Sequence, residues 1–230
     1  MTTETEMQFE LLQPWSTFVM KTQLPPEILQ KMLKIANEIV ENRAYVQDQG
    51  AGEMQDQFYI DLKILEQEKV MEYFTAVCRN YVTQAFCQSQ PFDKENILKL
   101  EWMTRLNSMW INSQKDNEYF PIHHHVACNL STVMYLKIPE YLPTRKEHKE
   151  DDGAINFTSS TGKDQFWGSP TMTLQPQVGD FFIFPASQQH FVYPFRTADG
   201  KGERRSVSFN AVFSNKTEQD KLKKQQENQQ

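Results

Sequence analysis

Pro176-Gln177-Val178-Gly179-Asp180 forms a turn that leads into the aromatic run Phe181-Phe182-Ile183-Phe184-Pro185, and Gln189-His190-Phe191-Val192-Tyr193-Pro194 follows close behind. The first apolar run reads as a buried strand and the second as the next strand, antiparallel and close by. The same grammar extends outward in both directions, with short strands predicted at 98–111, 120–126, 130–137, 154–157, 172–174 and 204–213. Before residue 91 the pattern is different. A strand over 15–22 ends at Pro25-Pro26, a pair that cannot continue a ladder but can open a helix. Over 27–41, Ile28, Leu29, Met32, Leu33, Ala36, Ile39 and Val40 recur at three- and four-residue steps, the mark of one buried stripe. A polar loop over 47–57 precedes a second helical pattern over 61–86, with Leu62, Leu65, Val70, Tyr73, Phe74, Val77, Tyr81 and Val82 on a broad apolar face. Helices followed by many short strands predict a mostly β, α+β fold: a double-sheet jelly roll with the N-terminal helices packed against it.

At 230 residues, with 39% hydrophobic residues and 16 Phe, the chain can bury one sizeable core despite a mean hydropathy of -0.66. Residues 1–214 read as a single domain, comprising a helical support region over about 23–90 and a jelly-roll core over about 98–214. Residues 215–230, rich in Gln and Lys, read as a disordered tail, and 139–153 as a charged excursion between strands. A net charge of -6 supplies no broad cationic surface, which argues against direct nucleic-acid binding. No apolar run is long enough for a membrane helix, and residues 1–10 lack the pattern of a signal peptide. Cys78, Cys87 and Cys128 lack zinc-site spacing and read as reduced. Together these features predict a soluble, cytoplasmic protein. Only 8 Gly, none in a phosphate-cradling loop, argue against a nucleotide site.

Four of the five histidines, His123, His124, His125 and His190, fall on predicted strands, and His148 lies in the charged excursion. Alternation along 120–126 sends His123 and His125 to one face as a chelating pair and His124 to the other. His190, on a strand close by, offers a third imidazole. Borderline metals such as iron(II) and zinc suit this set, and three ligands on one face leave positions open. A His run standing alone is equally the mark of a polar surface patch. Here it is accompanied by Glu203-Arg204-Arg205-Ser206-Val207-Ser208-Phe209-Asn210, where Arg204, Ser206, Ser208 and Asn210 share one strand face. A guanidinium inside a barrel needs an anion, and a planar carboxylate satisfies it best, although a structural salt bridge would also serve.

The order His123-x-His125, Leu130 to Leu136, Pro176 to Pro185 leading into His190, then Arg204-x-Ser206 and Phe209-Asn210, resembles the iron(II)- and 2-oxoglutarate-dependent dioxygenase superfamily. Within it, the chain is similar to a branch that carries His-x-His where most members carry His-x-Asp. The resemblance spans about residues 102–213. It implies a double-stranded β-helix, with iron(II) held by His123, His125 and His190 and the distal carboxylate of 2-oxoglutarate bound by Arg204 and Ser206. It also implies dioxygen as a cosubstrate and hydroxylation with release of succinate and CO2. Tyr135 and Asn112 stand where neighbouring strands could place hydrogen bonds to cosubstrate or substrate. Arg205 shares its parity with Val207 and Phe209, so Arg204 is the residue expected in the pocket.

His125 in the usual carboxylate position makes the ligand set neutral, so a bound divalent ion keeps its full charge until an anion arrives. A three-His cupin-type thiol dioxygenase would need no 2-oxoglutarate, but it leaves Arg204-x-Ser206 unexplained. A non-catalytic jelly-roll module and a hydrolytic zinc site are further alternatives, the last lacking an evident general base. The prime substrate, whether small molecule or protein side chain, has no readable code, and neither has the oligomeric state. Phe166 and Trp167 are candidates for the site's mouth.

Overall fold

A computed structural model describes residues 9–12, 18–46, 56–142, 151–159 and 171–216. The helical part comprises β1 (Phe9–Leu12), β2 (Val19–Gln23), α1 (Pro26–Glu41), β3 (Gln57–Tyr59), α2 (Leu62–Gln67), α3 (Met71–Ser89) and the single turn α4 (Lys94–Ile97). Then come β4 (Trp102–Lys115), β5 (Phe120–His123), β6 (Leu130–Lys137), β7 (Ile155–Thr158), β8 (Thr171–Leu174), β9 (Asp180–Pro185), β10 (Gln189–Val192) and β11 (Glu203–Asn215). No helix among the described residues is long and apolar enough to cross a membrane.

The strands form a seven-stranded sheet ordered β1-β2-β9-β6-β11-β4-β3 and a four-stranded sheet ordered β5-β10-β7-β8. All their pairings are antiparallel. The central strands β9, β6, β11 and β4 with the smaller sheet make the double-stranded β-helix. Alternation divides the large sheet's side chains between two cores. Phe181, Ile183, Val207 and Phe209 join Met32, Ile35, Leu65, Phe74 and Val77 under the helices, whereas Phe182 and Phe184 join Tyr135, Ile155 and Phe157 between the sheets. The helices thus cover the outer face of the large sheet and leave its inner face to the site.

Several expectations are corrected. The helical pattern over 61–86 is two helices, because Lys69 adopts φ 56° after the last turn of α2. Asp61 caps α2 by accepting from the Lys63 N–H at 2.9 Å, and the apolar spacing hides the break because Leu65 and Val70 both remain buried. The strand predicted at 98–111 starts at Trp102 after α4 and continues to Lys115. The strand predicted over 120–126 stops at His123, and β1 and β3 have no counterpart among the predicted strands. Residues 143–150, 160–170 and 217–230 lie outside the described residues, and with them His148, Phe166, Trp167 and nearly all of the predicted tail.

Candidate active site

The pocket between the sheets has a floor of three paired rungs from β11 and β4: Arg204 opposite Gln114, Ser206 opposite Asn112, and Ser208 opposite Trp110. The facing wall carries the histidines. His123 on β5 and His190 on β10 are direct cross-strand partners, with ring centroids 4.1 Å apart. His125 lies just past the end of β5, so strand alternation does not place it. Its backbone N–H donates to the Ala186 carbonyl at 2.9 Å, and its ring lies 5.7 Å from the Trp110 ring, centroid to centroid. One potential ligand atom from each of the three lies within 4.8 Å of the others. His124 is exposed.

The donor chemistry fits a metal. His123 Nδ1 lies 2.8 Å from the Pro121 carbonyl oxygen and His190 Nδ1 lies 2.9 Å from that of Gln188. A carbonyl oxygen only accepts, so each Nδ1 carries the proton and each Nε2 presents its lone pair. Burial pushes His190 down to about 3 and His125 down to about 4, with neighbouring imidazoles acting the same way, and burial also lowers His123. All three rings are therefore neutral near neutral pH, the state that ligates. Phe184 and Phe157 pack against His190, at 4.7 and 6.2 Å between centroids, and restrict its ring.

Arg204 occupies the end of the floor. It is buried, and its two terminal nitrogens donate to the Gly153 carbonyl and to Gln114 Oε1. Among the described residues its Nε has no partner, and neither has the buried hydroxyl of Tyr135, over whose ring the guanidinium lies at 5.5 Å. Burial pushes the Tyr135 phenol up to about 12, so it remains a donor. Two unpaired buried donors in one pocket suit an anionic acceptor. Ser206 lines the same floor, and Asn112 is held by Gln57, whose Nε2 donates to Asn112 Oδ1 at 2.7 Å. Arg205 points the other way and pairs with Glu203 at 2.6 Å and with Asn37 of α1.

Residues 108–210 match the family described as “Putative 2OG-Fe(II) oxygenase”. Over this stretch the chain is similar to a 2OG-Fe(II) oxygenase core. Iron(II), 2-oxoglutarate and dioxygen are the reactants this family implies, and the buried imidazole triad agrees with the first of them. No curated protein matches the sequence. Among solved structures, the chain is similar to the non-heme alpha ketoglutarate dependent epimerase SnoN from nogalamycin biosynthesis, with a TM-score of 0.50 and 14% identity over 84% of this chain and 76% of that one. It is also similar to a prolyl-4-hydroxylase from Pseudomonas putida, with a TM-score of 0.49 and 15% identity over 84% and 91%. A viral collagen prolyl hydroxylase from Paramecium Bursaria Chlorella virus-1, solved as a 2OG complex, gives 0.47 and 10% over 84% and 94%. The likeness to SnoN is one of fold.

The seven residues singled out in the sequence, His123, His125, His190, Arg204, Ser206, Tyr135 and Asn112, all line this one pocket. Sequence reasoning passed over Gln114 and Trp110, which share the strand parity of Asn112. That parity was the available signal, because β4 must face the pocket with every second residue.

Proposed function

We propose that this protein is an iron(II)- and 2-oxoglutarate-dependent oxygenase that hydroxylates an unidentified small molecule or protein side chain, with conversion of 2-oxoglutarate and dioxygen to succinate and CO2. The observation that carries the reading is one pocket that holds three neutral, oriented imidazoles and a single buried guanidinium with an unpaired donor. His123, His125 and His190 would hold the iron, which when bound supplies the Lewis acidity and redox capacity that couple decarboxylation to hydroxylation. The Nδ1 bonds of His123 and His190 to backbone carbonyls keep those two rings in the ligating tautomer. Arg204 and the Tyr135 hydroxyl receive the distal carboxylate, with Ser206 beside them on the floor. Gln57 occupies the acceptor of Asn112 and leaves its N–H groups for cosubstrate or substrate. The apolar wall, Val133, Ile155 and Val192 among it, limits water around the reacting groups.

We also read residues 1–214 as one domain and place the protein in the cytoplasm, a compartment with which three free cysteines agree. Anaerobic titration of the metal-free protein with iron(II) and then 2-oxoglutarate tests the function. A weak visible charge-transfer band that needs both additions, and fades in Arg204→Ala, is the expected result. Iron binding without any band would overturn the cosubstrate site and favour a three-His oxygenase that takes no 2-oxoglutarate.

A further inference from the structure

Resting on the reading of Arg204 as the distal-carboxylate site, we propose that Gln114 is a positioning residue that aims the guanidinium and so sets the affinity for 2-oxoglutarate. Gln114 is buried directly opposite Arg204 on the β4–β11 ladder. Its Nε2 donates to the backbone carbonyl of Glu118 and lies 3.5 Å from that of Tyr193, two groups that only accept. The amide cannot turn over without losing both contacts, so Oε1 must face Arg204, where it accepts from a terminal nitrogen. The carbonyls belong to the turn after β4 and to the residue after β10, so one side chain ties the arginine to both sheets.

The arrangement also explains the choice of a neutral side chain. A carboxylate at this position would pair with Arg204 and compete with the incoming anion, whereas an amide oxygen fixes the direction of the guanidinium and leaves its charge available. With Gln114 and Gly153 holding one hydrogen of each terminal nitrogen, the unpaired Nε and the remaining hydrogens are aimed before the ligand arrives.

Calorimetric titration of manganese(II)-loaded protein with 2-oxoglutarate, and separately with oxalate, tests this. Oxalate chelates a metal but has no distal carboxylate. In Gln114→Met, 2-oxoglutarate binding should weaken about tenfold or more, the scale of one charge-assisted hydrogen bond, while oxalate binding stays as in wild type. Gln114→Glu keeps the carbon skeleton and should lose more, which carries the test if the Met variant does not fold by circular dichroism. Unchanged 2-oxoglutarate affinity in a folded variant, or an equal loss for both ligands, would overturn the role of Gln114 while leaving Arg204's intact. Wild-type protein that binds oxalate but not 2-oxoglutarate would overturn the Arg204 reading and this inference with it.

Discussion

Tyr135 and Arg204 each bury a donor without a partner among the described residues, and removing either has different consequences for the free and the ligand-bound protein. A buried hydroxyl with no acceptor costs about 1–3 kcal/mol, so Tyr135→Phe should leave the melting temperature of the free protein unchanged or raise it. The same substitution should weaken 2-oxoglutarate binding about three- to tenfold, because the ligand loses one donor. Thermal melting and titration on the same preparation check both signs, and weaker stability with unchanged affinity would count against a carboxylate at this spot. His190→Ala removes the most enclosed imidazole and should abolish tight metal binding, read by cobalt(II) absorption. His123, His190 and Arg204 were legible as residue types on strands whose parity is readable. His125 was named for the wrong local reason: its position follows from the Ala186 hydrogen bond and the Trp110 ring, both remote in sequence. Gln114 was invisible as a residue type, since an isolated glutamine on a strand looks like any solvent-facing polar residue until its pairing partner is known.

Among the elements, the turn over 151–154 joins the arginine to the chain around Tyr141. Gly153 has φ 71°, and a Cβ there would lie 2.4 Å from the Tyr141 ring. Its carbonyl accepts from Arg204, and its N–H donates to the Pro194 carbonyl at 3.0 Å. Gly153→Ala should therefore destabilise the protein by about 1–3 kcal/mol through backbone strain and the ring clash. It should also weaken 2-oxoglutarate binding, because displacement of the turn withdraws an acceptor from the guanidinium. Denaturant melts and titration check the two effects, and a loss of stability with full affinity would confine the turn to a structural role. The strand pair β9 and β10 was readable because its turn residues and aromatic run agree on one answer. The break between α2 and α3 was not, because periodicity records which residues face the core and is silent about a three-residue change of direction that preserves it.

Across the whole molecule, the site depends on the helices holding the large sheet from outside. Phe74 of α3 packs edge-on against Phe181 and Phe209, at 5.9 and 5.4 Å between centroids, and Phe74→Ala should cost about 3–5 kcal/mol, measured by denaturant unfolding. A second tie is ionic. Glu203, at the start of β11, accepts from Ser113 at 2.6 Å and pairs with Lys137 at 2.9 Å and Arg205 at 2.6 Å, while Arg205 reaches Asn37 of α1. Burial alone would raise the Glu203 carboxyl, but the hydrogen bonds from Ser113, Lys137 and Arg205 outweigh it and hold the group at about 2. Because the folded value is depressed, the unfolded chain takes up this proton first. The stabilisation is complete above the unfolded value, near 4.5, and is lost as pH falls from there towards 2. Glu203→Gln should therefore lower the melting temperature by a constant amount above about pH 6, and the gap to wild type should narrow steadily below about pH 4.5. A gap that stays constant down to about pH 3 would show that the carboxylate charge contributes nothing to this junction, and that Gln at 203 fails for reasons of shape alone.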